Sequence, residues 1–150
     1  MSGNELVKRL AEDQKIALKA GDKIRVGTLR LLSSELTNKR IELGRELEED
    51  EVIGVLSKGQ RQRREAEQQY REAGREELAD KEAAEATIIG EYLPEPLDEA
   101  ALTQLVDAAI AETGAETLKD MGAVMGRLMP EVRGRVDGSV VSARVKDRLG

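Results

Sequence analysis

The chain contains no cysteine, histidine, tryptophan or phenylalanine, and its only aromatic residues are Tyr70 and Tyr92. Without His and Cys, the usual general base near neutral pH, a thiol nucleophile and zinc ligation by imidazole or thiolate are all excluded. The missing cysteine agrees with a reducing compartment without requiring one. With so few large aromatics, any core has to be built from Leu, Ile, Val, Met and Ala. No window approaches the ~18 to 20 uninterrupted apolar residues of a membrane span, and no basic-then-apolar leader opens the sequence. Residence in the cytoplasm with no membrane partner is therefore the expectation. Proline is scarce as well, at three residues.

The 150 residues suit one domain of ordinary size with a small appendage, and they can bury a real core. Charged residues make up 36% of the chain, in runs rich in Ala, Glu, Lys, Leu and Arg, which predicts an all-α, multihelical fold. Charge is unevenly shared. Residues 115 to 150 hold seven basic and five acidic side chains, a balance of +2, whereas the preceding 114 hold 17 and 25, a balance of −8. The C-terminal end is thus the less repulsive one for nucleic acid, although +2 is a weak footprint.

A first helix is expected from Asn4, as N-cap, to Ala20, with Gly21 as its stop. Asp22 then caps a second, in which Val26, Leu29, Leu32, Leu36 and Leu43 form one apolar stripe ended by Gly44. The short connection makes these two an antiparallel pair. The acidic run Glu48 to Glu51 favours the start of a third helix, with Val52, Ile53, Val55 and Leu56 as its apolar face. From Ser57 to Gln69 only Ala66 is apolar, so this part should project into water or toward a partner, with Arg61, Arg63 and Arg64 making it basic. Gly74 closes it, and a fourth helix from Arg75 to Tyr92 carries Ala79, Ala83, Ala86, Ile89 and Leu93 inward. Alanine buries little area, which makes a thinner core than a leucine stripe.

Pro94 and Pro96, one residue apart, stop the helical pattern and stiffen the chain. The expected organisation is an N-terminal four-helix subdomain over residues 1 to 93, a linker over 94 to 97 and a three-helix unit over 98 to 150. In that unit Asp98 is the N-cap of a fifth helix, with Leu97 and Leu102 as a hydrophobic staple and Gly114 as the stop. Thr117 caps a sixth helix with the stripe Met121, Val124, Met125, Leu128 and Met129, and Pro130 lies near its end. Asp137 starts a seventh, with Val136 and Val141 as another staple.

Two groups of residues are candidates for function. Ser57 and Lys58 could in principle form a serine–lysine pair, but they would stand about 100° apart on a helix with no loop to supply an oxyanion hole; a solvated helix face is the plainer reading. The second group lies between Lys119 and Val141. Glycine in a helix costs roughly 0.5 to 1 kcal/mol relative to alanine, so Gly122 and Gly126, with Gly134 beyond them, suggest close backbone approach. Either a neighbouring helix or an RNA phosphate would fit such a groove. For RNA, Lys119, Arg127, Arg133, Arg135 and Arg144 are the candidate contacts; they would bind phosphate without reading bases, because no aromatic residue there can stack.

The segment from Lys119-Asp-Met-Gly to Arg133-Gly-Arg-Val-Asp-Gly, with Val141 and Leu149, resembles the tail of the GatB/YqeY family, which closes the B subunit of the glutamine-dependent aminoacyl-tRNA amidotransferase. Upstream, Ala20 to Arg25, Thr28 to Leu32, Gln60 to Glu65, Gly74-Arg75, Leu78, Lys81-Glu82 and Tyr92 to Pro94 are similar to its stand-alone YqeY branch, so the resemblance spans essentially the whole chain. It implies an N-terminal helical bundle followed by a tail domain, and the family label of carbon–nitrogen ligase with glutamine as amido-N-donor. In the amidotransferase the tail resembles a tRNA-holding element, while the chemistry belongs to a cradle domain that this chain lacks. The resemblance therefore implies a tRNA-binding or amidotransferase-associated module with no catalytic residues or cofactor of its own. Its partners would be tRNA, amidotransferase subunits or another translation-related protein. An adaptor using Arg61, Arg63 and Arg64 is the alternative. Val136 replaces a common Ala, and Gly59 stands where a charged residue is frequent, which raises the question of whether the third helix runs straight.

Overall fold

The computed structural model describes residues 3–150. It contains seven α-helices, α1 (Gly3–Ala20), α2 (Lys23–Leu43), α3 (Glu49–Glu72), α4 (Glu76–Gly90), α5 (Glu99–Thr113), α6 (Met121–Val132) and α7 (Gly138–Leu149), with a 3-10 turn at Leu118–Asp120. No strand occurs among the described residues, and the all-α expectation holds.

The helix ends follow local chemistry. Gly21, Gly44, Gly74, Gly114 and Gly134 all adopt φ between 68° and 78°, the left-handed conformation that costs glycine least. At the starts, the carboxylates of Asp22, Asp98 and Asp137 accept hydrogen bonds from the backbone N–H of Arg25, Ala101 and Ser139. Three boundaries differ from expectation. Asn4 lies inside α1, which already begins at Gly3, α4 runs from Glu76 to Gly90 rather than from Arg75 to Tyr92, and Thr117 caps the 3-10 turn while α6 itself begins at Met121.

The helices gather into two compact units that divide between Leu93 and Pro94. In the first, Leu6, Leu10, Leu29, Leu32, Leu36, Val52, Leu56 and Ile89 form the buried core of α1 to α4, joined by Leu47 and Tyr92. A leucine or isoleucine wholly removed from water stabilises by roughly 1.5 to 3 kcal/mol, so the stripe on α2 anchors this unit. Leu43 is the exception: it keeps the register of the stripe, but at 37% exposure it lies outside the buried core, beside Gly44 at the helix end. Ala79 and Ala86 of α4 are completely buried, and their small side chains let α4 lie close along α3.

The second unit packs α5, α6 and α7 around Leu102, Val106, Val124, Leu128, Val132, Val141 and Val145. Leu97, Met121, Met125, Met129, Val136 and Leu149 seal its margin, so both staples and the α6 stripe form as the periodicity requires. Pro130 sits in the last turn of α6, where it lacks the N–H that would otherwise donate to the Gly126 carbonyl one turn back.

Candidate docking face of the C-terminal unit

Gly122 and Gly126 stand one helical turn apart on α6, opposite Val124 and Leu128, which fill the core. Both glycines are exposed, and a Cβ built at either would meet nothing within 4 Å. The expectation that they admit a neighbouring helix of this unit is therefore corrected: α5 and α7 pack on the other side of α6. Gly134 has a different role again, since its φ of 78° makes the turn between α6 and α7.

Close approach does occur, at other glycines. A Cβ on Gly3 would collide with the Leu47 carbonyl oxygen, and one on Gly90 would lie 2.9 Å from Gln60 Nε2. Gly59 is buried in an uninterrupted α3, where a Cβ would meet Arg63, Leu32 and Ile89 at 3.5 to 3.7 Å. Nothing in the local sequence separates these from the open glycines. What differs is which residues, distant in sequence, arrive beside them.

The candidate cations of this unit fall into two sets. Arg135 donates from Nε to the Glu95 carbonyl at 2.9 Å, while its own carbonyl accepts from the Leu97 N–H at 3.0 Å, so it ties the start of the unit to the turn after α6. Arg144, on α7, donates to Thr103 Oγ1 and to the Glu99 carbonyl on α5. Both arginines are half-buried structural ties. Arg127 stays at the surface, held by Glu112 at 2.6 Å and Glu131 at 3.0 Å, which keep its guanidinium more firmly protonated than usual. Lys119 is exposed in the 3-10 turn before α6, and Arg133 is half-buried just after it.

That turn is rigidly built. Asp120 accepts from the backbone N–H of Glu116 at 2.9 Å and of Thr117 at 3.2 Å, bonds that hold its carboxyl below the usual range. Thr117 in turn accepts from the Lys119 N–H. Lys119 thus projects from a fixed backbone at the N-terminal end of the open glycine face.

A family model for YqeY-like proteins matches residues 7–149. The chain belongs to the YqeY-like family. A curated relative of this YqeY-like chain, "Altered inheritance of mitochondria protein 41, mitochondrial" from Pyrenophora tritici-repentis (strain Pt-1C-BFP), is 27% identical over 150 residues, covering 98% of this chain and 82% of the relative.

In the N-terminal unit of the YqeY-like chain, the basic segment of α3 is not the solvated face that its composition suggests. Arg63 is 8% exposed; its Nε donates to Glu85 Oε2 at 3.1 Å and its Nη1 to the Gly59 carbonyl. Arg61 and Arg64 remain at the surface, Arg64 beside Glu67 at 3.2 Å, so the expected three-arginine face is reduced to two. The signal that could have found the pair is Glu85 itself, a carboxylate amid the alanines of α4. Ser57 and Lys58 make no dyad: Ser57 Oγ is buried with no hydrogen-bond partner among the described residues, while Lys58 is exposed. No group of three carboxylates among the described residues is arranged to hold a metal ion, and no described helix is long and apolar enough to cross a membrane.

Proposed function

We propose that this YqeY-like chain is a tRNA-binding or amidotransferase-associated module without a catalytic centre of its own, and that the outer face of α6 is where it docks. The supporting observation is the open pair Gly122 and Gly126 on a helix whose other side is fully packed. Two glycines inside a helix cost roughly 1 to 2 kcal/mol together, and no contact within the unit offsets that cost. Such a bare strip lets a phosphate backbone or a partner's helix come closer than any side chain would permit. Lys119 at one end and Arg133 at the other provide charge for phosphate, while Arg127 exchanges its carboxylate partners for the ligand. In this reading the protein acts in the cytoplasm and needs no cofactor.

The test is a titration of labelled tRNA at low salt, alongside capture of purified amidotransferase subunits, comparing wild type with Gly122→Leu/Gly126→Leu. Open space around both positions keeps that variant folded, which its melting curve checks. Loss of tRNA or subunit binding at a melting temperature equal to or above that of the wild type supports the proposal. Equal binding, or no binding of either by the wild type, overturns it. Glutamate release from glutamine, ATP and misacylated tRNA by the purified chain would overturn the non-catalytic part. Arg135→Glu is unsuitable as a probe, because that residue holds the unit together.

A further inference from the structure

The outer face of α2 carries a second pattern, independent of α6. Ile24, Gly27, Leu31, Ser34, Asn38 and Ile41 are all exposed, and at about 100° per residue they share one stripe roughly 100° wide. The core of the unit lies on the other side, at Leu29, Leu32 and Leu36. Ile24, Leu31 and Ile41 are 42%, 53% and 69% exposed, and a Cβ on Gly27 would meet nothing. Single exposed apolar residues are ordinary. These three stand in register, because the six positions alternate steps of three and four, the a and d sites of three successive heptads.

We propose that this stripe is a two-fold interface on which a second copy of this chain docks, α2 alongside α2 in parallel. The flanking charges identify the occupant and the orientation. Arg30 lies at one edge of the stripe and Glu35 at the other, five residues on, the g-to-e′ relationship that bridges parallel helices. Two-fold symmetry makes that ion pair twice, Arg30 of each copy to Glu35 of the other. An antiparallel arrangement sets Arg30 beside Thr37 and forms no such pair. Asn38 occupies an a site, where two asparagines facing each other across the axis fix register and orientation at some cost in stability. The small Gly27 and Ser34 let the helices approach closely, and the three apolar residues supply the buried area. One helix pair is a small interface, below about 1,200 Å², so association belongs in the micromolar range.

Sedimentation velocity on the full chain over roughly 1 to 500 µM at low salt tests this. The wild type is expected to pass from monomer to dimer. Leu31→Glu, at an exposed position that leaves the core intact, should weaken dimerisation at least ~100-fold with an unchanged melting temperature. Arg30→Glu and Glu35→Arg should each weaken it, and the two together should restore it. Since the chain has no cysteine, Asn38→Cys gives a clean orientation probe: oxidation should cross-link two copies in the parallel register alone. A wild type monomeric throughout overturns the proposal, as does a Leu31→Glu protein that dimerises normally or a double swap that fails to restore. A monomeric chain that captures a different protein on α2 also overturns it.

Discussion

Arg63 on α3 and Glu85 on α4 form an ion pair of 3.1 Å in which the side chains are only 10% and 13% exposed. Removing one partner would leave the other charge nearly buried, which is far more costly than losing a surface pair. Glu85→Ala is expected to destabilise by about 3 kcal/mol. Replacing both, as Arg63→Met with Glu85→Leu, should recover most of that loss, since no charge is then stranded. Urea unfolding of the two variants and the wild type checks the ordering, and a double variant as unstable as the single one would contradict it.

Tyr92 donates its hydroxyl to Asp13 at 2.6 Å, beneath the guanidinium of Arg9, which lies 4.6 Å from the ring centre. Burial first, and then the bond to Asp13, raise the Tyr92 pKa well above its ordinary value near 10. A group raised in the folded state contributes stability that is complete below its unfolded pKa and declines as pH rises through the folded one. Stability should therefore fall above about pH 10. Tyr92→Phe should cost about 1 kcal/mol at neutral pH and flatten that alkaline decline, as followed by denaturant midpoints.

Glu51 closes the capping box of α3 by accepting from the Glu48 N–H, and it also binds Arg45 at 2.7 Å. The Arg45 hydrogen bond first, and the backbone bond second, hold its pKa at about 2. This shift is downward, so the contribution is present above the unfolded value near 4.5 and is lost as pH falls toward about 2. In Glu51→Gln the acid-side loss of helicity over that window should be smaller, as read by circular dichroism, and a carbon-13 titration of Glu51 should give the low value directly.

Gly122→Ala and Gly126→Ala are each expected to raise stability by about 0.5 to 1 kcal/mol, because helix propensity improves and the added methyl meets open space. Gly3→Ala is expected to do the reverse, since its methyl would collide with the Leu47 carbonyl. Thermal melts of the three variants distinguish an open face from a closed one. Destabilisation by Gly122→Ala would mean that something packs there.

What the sequence determined by itself is everything set within about one helical turn. Asp22, Asp98 and Asp137 begin helices, Gly21, Gly44, Gly74 and Gly114 end them at positive φ, and the spacing of Leu29, Leu32 and Leu36 or of Val124 and Leu128 fixes which face turns inward. These rest on backbone hydrogen bonding and a 3.6-residue period, both local. Reading along the chain also placed the YqeY-like likeness, because the order of many short segments survives without any knowledge of contacts. Only the tertiary structure decided which elements meet. Gly59 and Gly122 look alike in sequence, yet one is covered by Leu32 and Ile89 while the other faces open space. Arg63 and Arg64 are neighbours, yet one finds Glu85 in the interior and the other stays at the surface. Arg127, Arg135 and Arg144 were equals as cations until packing bound the last two to carbonyls of their own unit. The reason is physical: burial and pairing are set by residues 20 to 45 positions away, whose arrival depends on how whole helices pack rather than on any local pattern.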